Sequence, residues 1–502
     1  MSLHKTEERY LLGVDVGTTG TKTILFREDG CIIGQAYRAY VTYTPRVGYS
    51  EQNPADWWNA VCDTVKDVCA DSDIRKRIAA ISLSTQGGTM VGVDAQGEPV
   101  RPAIVWNDKR CVEGLQTLRQ ETLTDAVYPV TGWKPSAAMP MLQCRWLQKH
   151  EPEHWCRMRM YLSVPDYLAW KMTGSASVDI SNAGICRFAD IRKKAYHKEF
   201  LDYAGLDETQ MAPIVGSGEP IGTLTPAAAE ALGLTTDVVL VSGAHDQYAV
   251  ALGAGSCKPG DILIGTGTSW VVTSLSDEPD FDSGLAQSVP AVPGLWGSLK
   301  SLSSGGVCLE WWRMKLVKEA DGDPLPFDTI NEEVAKRNAG ADGLFFYPFS
   351  GQCSKLKNFS KASFIGMDLS HDRFHLARAI MEGVAFQSLW MMESFRSQPT
   401  EHGIKVAGGG SRSEVWCRML ANTANLPVRI PETADLACVG AAIMAGVGAG
   451  IYANAEEGYR KLAVTDSVIE PEAEQVPVYQ QMYADYKQTA IQLGLLYEKQ
   501  NG

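Results

Sequence analysis

The apolar positions of the chain fall into short runs, several of which end in turns rich in glycine and threonine. Residues 10–26, YLLGVDVGTTGTKTILF, contain an apolar run, a Gly-Thr-Thr-Gly tip and a second apolar run. Short apolar runs bounded by turn residues predict buried strands. The segment is therefore predicted to form a β-hairpin, with Asp15 just before its tip.

Longer segments with helical spacing alternate with the predicted strands. Helices are predicted at 54–70 (with Asn53 as N-cap), 142–150, 165–172, 249–252, 376–395, 414–424, 439–448 and 479–499. Further strands are predicted at 78–83, 90–93, 103–106 and 238–241, and within 404–412. The helix at 439–448, VGAAIMAGVG, is rich in small residues and suited to close packing. The alternation is typical of an α/β protein.

The hairpin pattern returns in the second half of the chain. Residues 261–274, DILIGTGTSWVVTS, again run from an apolar strand through a Gly/Thr tip to an apolar strand. Repetition of one unit about 250 residues apart predicts two similar α/β domains facing a cleft. We place the boundary at 253–259, which gives domains of 1–253 and 254–502.

Composition and charge narrow the class of protein. The 502 residues are 45% hydrophobic and 21% charged, as in globular proteins. The net charge of −13 repels phosphate backbones, so we expect no nucleic-acid partner. No apolar run approaches the ~20 residues that span a bilayer, and the N-terminus has no apolar signal core. We therefore expect a cytoplasmic protein without a membrane partner, and the 12 scattered cysteines fit a reducing compartment.

Three glycine-rich tips follow apolar strands, at 17–20, 265–269 and 408–411. Glycine lets backbone N–H groups approach a phosphate, and threonine hydroxyls add donors. One such tip is more often a plain hairpin than a phosphate loop, but three together favour a phosphate ligand. The chain has neither a Walker A motif nor a GxGxxG motif in the βαβ context, which disfavours P-loop and Rossmann sites.

Two acids stand where chemistry is expected. Asp15 lies beside a phosphate tip and would repel the phosphate unless Mg²⁺ bridges them; the alternative is a turn aspartate bonded to local N–H groups. Asp246 follows an apolar run and precedes a helix. At that position it either accepts a proton from a substrate hydroxyl or caps the helix. From the residues alone both alternatives stay open, and His245 is interpreted as structural.

These motifs, in this order, resemble the FGGY family of carbohydrate kinases in the actin-like ATPase superfamily. The matching segments are GVDVGTTGTK (13–22), RPAIVWNDKR (101–110), VPDYLAWKMTG (164–174), SGAHDQYAVALGAG (242–255), GTGTSW (265–270) and GGGSRSEVWCRML (408–420). Within the family the chain is most similar to xylulokinases and related ketose and polyol kinases. That similarity depends on residues 50–54 with Trp57 and Trp58, on the run 106–108 and on 408–420.

The resemblance implies two actin-like, ribonuclease-H-like domains around a central cleft, the first on the sugar and phosphate side and the second on the nucleotide side. It implies ATP-dependent phosphorylation of a sugar hydroxyl, with Asp246 as catalytic base, Asp15 holding Mg²⁺ through water, and Mg·ATP held between two Gly/Thr loops. The implied ATP contacts are Thr18, Thr19, Lys22, Thr266, Gly267, Thr268, Gly409, Gly410 and Ser413. The implied sugar contacts are Gln86, Gly87, Asn107, Asp108, Asp246 and Gln247. Homodimers are common in the family, which favours a homodimer.

Several positions depart from the xylulokinase pattern. Xylulokinases typically carry Met-His after the pocket glutamine, where this chain has Gly87 and Gly88, and an asparagine where it has Gln247. A family lysine is replaced by Gln143, and a Ser-Gly-Glu-Arg run by residues 350–353, SGQC. These changes predict a wider pocket or altered donors.

They leave the sugar open among xylulose, ribulose, fuculose, rhamnulose, glycerol and similar compounds. The alternative from another class is a non-catalytic actin-like regulator that binds ATP or sugar. A regulator need not keep Asp246, so the presence of both acids and all three tips favours the kinase.

Overall fold

The computed structural model describes residues 8–317, 322–349, 361–400, 402–433, 435–462 and 466–500. Two compact units are present, each with its own β-sheet. The first comprises 1–257, 277–297 and 435–464, and the second comprises 258–276, 298–434 and 465–502. The sequence predicts two continuous halves, whereas two later segments of the chain belong to the first unit. The departures at 350–353 lie outside the described residues.

The strands are β1 (Tyr10–Val16), β2 (Gly20–Arg27), β3 (Ile32–Ala39), β4 (Glu51–Gln52), β5 (Ile78–Thr85), β6 (Val91–Val93), β7 (Ala103–Ile104), β8 (Met160–Leu162), β9 (Val178–Asp179), β10 (Ala189–Asp190), β11 (Ala195–Tyr196), β12 (Ile214–Val215), β13 (Pro220–Thr223), β14 (Val239–His245), β15 (Ile262–Thr266), β16 (Trp270–Ser276), β17 (Ala286–Ser288), β18 (Trp296–Leu302), β19 (Phe345–Tyr347), β20 (Ser363–Ile365), β21 (Ile404–Ala407), β22 (Val428–Pro431) and β23 (Asp466–Ile469).

The helices are α1 (Pro54–Val68), α2 (Ser72–Arg75), α3 (Val112–Leu118), α4 (Leu123–Thr131), α5 (Pro140–His150), α6 (Pro152–Arg157), α7 (Val164–Thr173), α8 (Ile180–Ile185), α9 (Lys198–Ala204), α10 (Pro226–Leu232), α11 (Asp246–Gly253), α12 (Val307–Trp311), α13 (Phe327–Ala335), α14 (Arg373–Met392), α15 (Glu414–Ala424), α16 (Leu436–Gly448), α17 (Ala455–Leu462) and α18 (Val476–Gln500). Single turns of 3₁₀ helix lie at Glu208–Gln210, Ala341–Gly343 and Gly409–Arg412, and a π turn at Trp312–Leu316. Among the residues that the structure describes, no helix is both long enough and apolar enough to span a bilayer.

The first unit is built on a six-stranded sheet in the order β13-β14-β5-β1-β2-β3. Strands β1 and β2 form the predicted antiparallel hairpin, while β5 pairs in parallel with both β1 and β14. The carboxyl ends of β1, β5 and β14 therefore meet at one edge. Parallel α/β sheets commonly bind ligands at this edge.

Helices cover both faces of this sheet. Alternate residues of β1 point to opposite faces, and apolar residues on each face pack into a separate core. Leu12 and Val14 belong to the core that includes Trp57 of α1, whereas Leu11 belongs to the core that includes Ala442 of α16. Helix α1 starts as predicted, with Asn53 accepting a hydrogen bond from the N–H of Ala55.

The small-residue helix α16 packs so closely on the sheet that its backbone contacts the backbone of β1. A Cβ on Gly13 would lie 2.0 Å from the carbonyl oxygen of Cys438, and a Cβ on Gly440 would lie 2.0 Å from that of Ala249 in α11. Glycine is therefore required at both positions. The close packing predicted for this helix is confirmed.

The second unit repeats the hairpin. Its strands follow the order β18-β16-β15-β21-β22-β23. Strands β15 and β16 are antiparallel, and β15 pairs in parallel with β21, which pairs in parallel with β22. The hairpin repeat predicted from 10–26 and 261–274 is thus present in both sheets.

Candidate active site

Asp15 lies near the carboxyl end of β1, opposite Lys22 of β2 and Ser84 of β5. Burial raises the pKa of Asp15 to about 6; the hydroxyl of Ser84, which donates to Oδ1 at 2.7 Å, opposes this shift, while the charges of Asp246 and Asp435 add to it. The ammonium group of Lys22 donates to Asp435 Oδ1 at 2.5 Å. Lys22 is thus already paired within this acidic edge of the first unit.

This donor set fits Mg²⁺. Magnesium binds one or two carboxylates together with water and phosphate oxygens, and it does not need an all-protein cage. Within the described part of the chain, no three His, Cys, Asp or Glu side chains gather closely enough to hold a metal by themselves. A partly desolvated carboxylate with other acids nearby gains from a bound cation. Asp15 is therefore the residue with which a magnesium ion at this edge would interact.

Asp246 follows β14 directly and is the first residue of α11. Its side chain is 33% exposed, and its Oδ1 lies 3.0 Å from Nε2 of His245. His245 takes the N-cap position and makes no side-chain cap bond. The alternative in which Asp246 caps the helix is thus not what the structure contains. Its carboxylate is available for other contacts.

Gln86 and Thr18 lie together in the first unit. The amide of Gln86 donates to Gln52 Oε1 at 2.9 Å, and Thr18 Oγ1 donates to Gln86 Oε1 at 3.4 Å. The indole of Trp106 in turn donates to Thr18 Oγ1 at 3.0 Å. Trp106 is 48% exposed, so it presents an apolar face beside these polar groups. Gln52 and Trp106 both lie in the motifs that carry the family resemblance, but neither is among the site residues that the resemblance implies.

The other predicted sugar contacts differ in exposure. Asp108 is 1% exposed, and its carboxylate accepts hydrogen bonds from the N–H of Ser50 and from the guanidinium of Arg110. That guanidinium is stacked between two aromatic rings. The buried Asp108 therefore stabilises the turn that contains residues 106–108. The neighbouring Asn107 is exposed. Gln247 is half-buried on α11, one residue after Asp246.

At the hairpin tips, Thr19 is exposed in the first unit, and Gly267 and Thr268 are exposed in the second. Thr266 is different, because its hydroxyl donates to the carbonyl of Ala407 at 2.7 Å and accepts from the N–H of Ser411 at 3.1 Å. It thereby joins the tip at 265–269 to the triple-glycine turn. Two of the three predicted phosphate or nucleotide loops are thus adjacent within the second unit.

The triple-glycine turn leads into α15. Gly409 is exposed, and a Cβ on Gly410 would lie 2.9 Å from the Cβ of Thr266. Ser413 accepts a hydrogen bond from the N–H of Trp416 as the N-cap of α15, and its hydroxyl donates to Asn331 Oδ1 at 2.7 Å. The turn thus offers its backbone at Gly409, while the Ser413 hydroxyl holds the start of the helix.

The chain matches a known protein family over most of its length. Residues 10–253 match the N-terminal domain, and residues 262–449 the C-terminal domain, of the FGGY family of carbohydrate kinases. The chain is 29% identical over 489 residues to the L-xylulose/3-keto-L-gulonate kinase of Escherichia coli (strain K12), with 95% of this chain and 96% of that protein covered. It is 28% identical over 486 residues to the xylulose kinase of Bacillus subtilis (strain 168), covering 95% and 96%.

A solved structure shows the same fold. The xylulose kinase from Rhodospirillum rubrum superposes with a TM-score of 0.89 at 26% sequence identity, covering 98% of this chain and all of that one. The two family domains together match most of the chain, so the expected actin-like fold and carbohydrate kinase activity are confirmed. The chain belongs to the FGGY family of carbohydrate kinases.

Proposed function

We propose that this kinase transfers the terminal phosphoryl group of ATP to a hydroxyl of a ketose or a related polyol, in a reaction most like that of the xylulose kinases. The relatives named for xylulose support this substrate class. Gly87 and Gly88 stand where xylulokinases typically carry a Met-His pair, which keeps the identity of the sugar open within the class.

One observation carries the proposal: the carboxylate of Asp246 stands partly exposed at the sheet edge that also holds Asp15 and Gln86. We assign Asp246 as the general base. It accepts the proton of the sugar hydroxyl as that oxygen bonds to the γ-phosphorus, while the bond from phosphorus to the bridging oxygen breaks and ADP leaves.

We assign the remaining groups by their exposure. Asn107 and Gln247, with Gln86 and the backbone at Gly87, would orient the sugar. The exposed hydroxyls and N–H groups of the two hairpin tips would hold the phosphates, and the Gly409–Gly410 backbone would lie against the adenosine. Mg²⁺ held through water by Asp15 would neutralise phosphate charge.

Asp108, Thr266 and Ser413 have their side-chain oxygens engaged in the fold. Lys22 is paired with Asp435. We therefore propose that these four residues shape the binding surfaces rather than form hydrogen bonds with a ligand.

The test is a coupled ADP-release assay with Mg·ATP across pentuloses, hexuloses, pentitols and glycerol. For the best sugar, Asp246→Ala is expected to lower turnover ~10²–10⁴-fold, the usual contribution of a general base, while calorimetry shows unchanged ATP affinity. The matched control is Asp237→Ala, an exposed acid just before the same strand β14, which is expected to leave turnover within about threefold.

Two results would count against the proposal. If the wild type releases no ADP in response to any sugar, the kinase assignment fails for this panel and a non-catalytic regulator gains support. If Asp246→Ala stays within about threefold of wild-type turnover, Asp246 is not the base.

A further inference from the structure

The imidazole of His245 occupies the space in which a side chain at residue 87 would lie. A Cβ on Gly87 would lie 2.6 Å from His245 Cδ2 and 3.0 Å from Nε2. Gly87 is buried, and the side chain of His245 is only 7% exposed. The ring in this place thus leaves no room for a side chain at residue 87, and Ile185 Cγ2, 2.8 Å from the same Cβ position, adds to the restriction.

The ring is held on several sides. Trp133 and Tyr248 contact it edge to face, with ring centroids 6.3 and 6.0 Å away. The main-chain N–H of His245 donates to Ser181 Oγ at 2.8 Å, and that hydroxyl donates to the buried carboxylate of Asp179. A ring fixed in this way keeps its nitrogens in defined places.

One of those nitrogens faces the proposed base. Nε2 lies 3.0 Å from Asp246 Oδ1, and that oxygen is buried without a well-formed hydrogen bond to any described residue. A buried carboxylate oxygen is strongly destabilised if it has no donor. Hydrogen bonds at catalytic groups are often poorly aligned before substrate binds. The Nε2–H group is therefore the donor placed to satisfy Oδ1.

The surroundings of the other nitrogen, Nδ1, indicate which of the two ring nitrogens carries the proton. Nδ1 of His245 is buried and has no hydrogen-bond partner among the described residues. A neutral ring with its proton on Nε2 leaves no buried N–H group unsatisfied, whereas a charged ring would leave one at Nδ1.

We propose that His245 is a positioning residue for phosphoryl transfer: it donates from Nε2 to Asp246 Oδ1, fixes the rotation of the carboxylate and leaves Oδ2 for the sugar hydroxyl. Gly87 is the partner that makes room for the ring. The inference rests on the proposed function in one respect, that Asp246 is the base. The proposed positioning role goes beyond the structural role that the sequence indicated for His245.

The kinetic test compares three substitutions of His245. His245→Gln places an amide N–H group near the former Nε2, His245→Asn places one near Nδ1, and His245→Phe keeps the ring without nitrogen. A misplaced catalytic group lowers rates by up to about 100-fold. We expect His245→Phe and His245→Asn to lower kcat about 10- to 100-fold with little change in either KM, and His245→Gln to recover most of that loss.

A double-substitution cycle tests the partnership with Gly87. Gly87→Ala alone is expected to push the ring from Asp246 and to lower kcat about as much as His245→Phe. In the His245→Ala background Cδ2 and Nε2 are gone, while Ile185 Cγ2, 2.8 Å from the new Cβ, still opposes the substitution. Gly87→Ala is therefore expected to lower kcat further in this background, but by a smaller factor than it does in the wild type. The two effects then couple, as expected for residues in contact. Circular dichroism and melting temperature confirm that each variant folds.

Equal losses for all three His245 variants would overturn the positioning role, because the ring would then act by packing alone. So would a folded His245→Phe variant within about threefold of wild-type kcat. A separate measurement needs no turnover: the imidazole ¹⁵N shifts of His245 are expected to change in Asp246→Asn. If the wild type lacks sugar-dependent activity, the proposed function fails, and an unchanged ¹⁵N spectrum would overturn the present inference by itself.

Discussion

Several predicted site residues have side chains that are already engaged elsewhere in the fold. Asp108 is bonded to the backbone of Ser50, 58 positions away, and Thr266 to Ser411, 145 positions away. A motif predicts which residue types recur, but the direction of each side chain depends on such distant partners. The position of Asp15, Gln86 and Asp246 at one sheet edge could be predicted, because each residue follows or ends a strand of the same sheet. The pairing of Gly87 with His245 could not, since only the folded chain brings residues 158 positions apart together.

Asp15 gives a prediction at this scale. Asp15→Asn removes the charge that we assign to water-mediated Mg²⁺ binding, so the KM for Mg·ATP is expected to rise about 10- to 100-fold, as for other outer-sphere partners of a metal. The sugar's KM should change much less, because the sugar contacts are left intact. Steady-state kinetics with each substrate varied in turn measure both values.

Ser84→Ala is the matched control, since it removes only the 2.7 Å hydrogen bond to Asp15 and keeps the charge. Its effect on Mg·ATP should be smaller than that of Asp15→Asn. A change confined mainly to the sugar's KM in Asp15→Asn would contradict the metal assignment.

Asp166 gives a pH prediction. This carboxyl is buried in the capping box of α7, where it accepts hydrogen bonds from the N–H and the hydroxyl of Ser163, and burial raises its pKa to about 7. Between the unfolded value, about 4, and about pH 7, the folded state holds a proton that the unfolded state has lost. This group therefore lowers the free energy of unfolding as the pH rises through that window, by at most about 1.4 kcal/mol per pH unit.

Asp166→Asn keeps an acceptor oxygen and removes the titration. The stability of the variant relative to wild type is expected to increase from pH 4 to pH 7 and to level off above. Urea unfolding at a series of pH values measures it. A constant difference across that range would show that Asp166 does not titrate there.

At the scale of elements, local pattern predicted the hairpins and long helices, but not which strands would join the main sheets. The apolar runs at 90–93 and 103–106 are short strands, and β6 pairs with β8 while β7 pairs with β4, outside both large sheets. The partner strands lie roughly 50 to 70 residues away along the chain, so this pairing depends on tertiary context. Helix α16 was predictable because its small residues have a packing reason that is visible in the sequence.

Gly440→Ala tests that helix. The new Cβ would lie 2.0 Å from the carbonyl oxygen of Ala249, so α11 and α16 must separate. Overpacking of this kind typically destabilises by about 1–3 kcal/mol. Denaturant unfolding is expected to show the loss.

The control is Gly114→Ala, in helix α3, where the nearest atom would be 3.6 Å away in the side chain of Leu142. Here alanine has the better helix propensity, by up to about 1 kcal/mol, so stability should stay equal or rise. If both variants were destabilised alike, close backbone packing would not be the reason for Gly440.

At the scale of the whole molecule, the units do not correspond to continuous halves of the chain. The first unit needs residues 435–464, which the sequence assigned to the second domain. Residues 1–257 expressed alone would lack the α16 side chains that pack on the sheet face that includes Leu11, Ile24 and Phe26. We expect this fragment to be poorly soluble and to unfold without a cooperative transition.

The matched comparison is the same fragment with residues 435–462 attached through a flexible linker, which restores α16 and α17. It is expected to recover solubility and a sigmoidal melt by circular dichroism. A cooperative, soluble 1–257 fragment would show that α16 is dispensable for the first unit.

The late position of α16 in the chain also has a consequence during synthesis. The ribosome completes the first sheet roughly 200 residues before it makes the helix that covers one of its faces. At translation rates of ~5–20 residues per second, that delay is about 10–40 s. During this delay the nascent chain exposes apolar surface on the sheet face that α16 later covers. Chaperones bind hydrophobic surface of this kind. The nascent enzyme should therefore depend on chaperones most strongly between residue 257 and the emergence of α16.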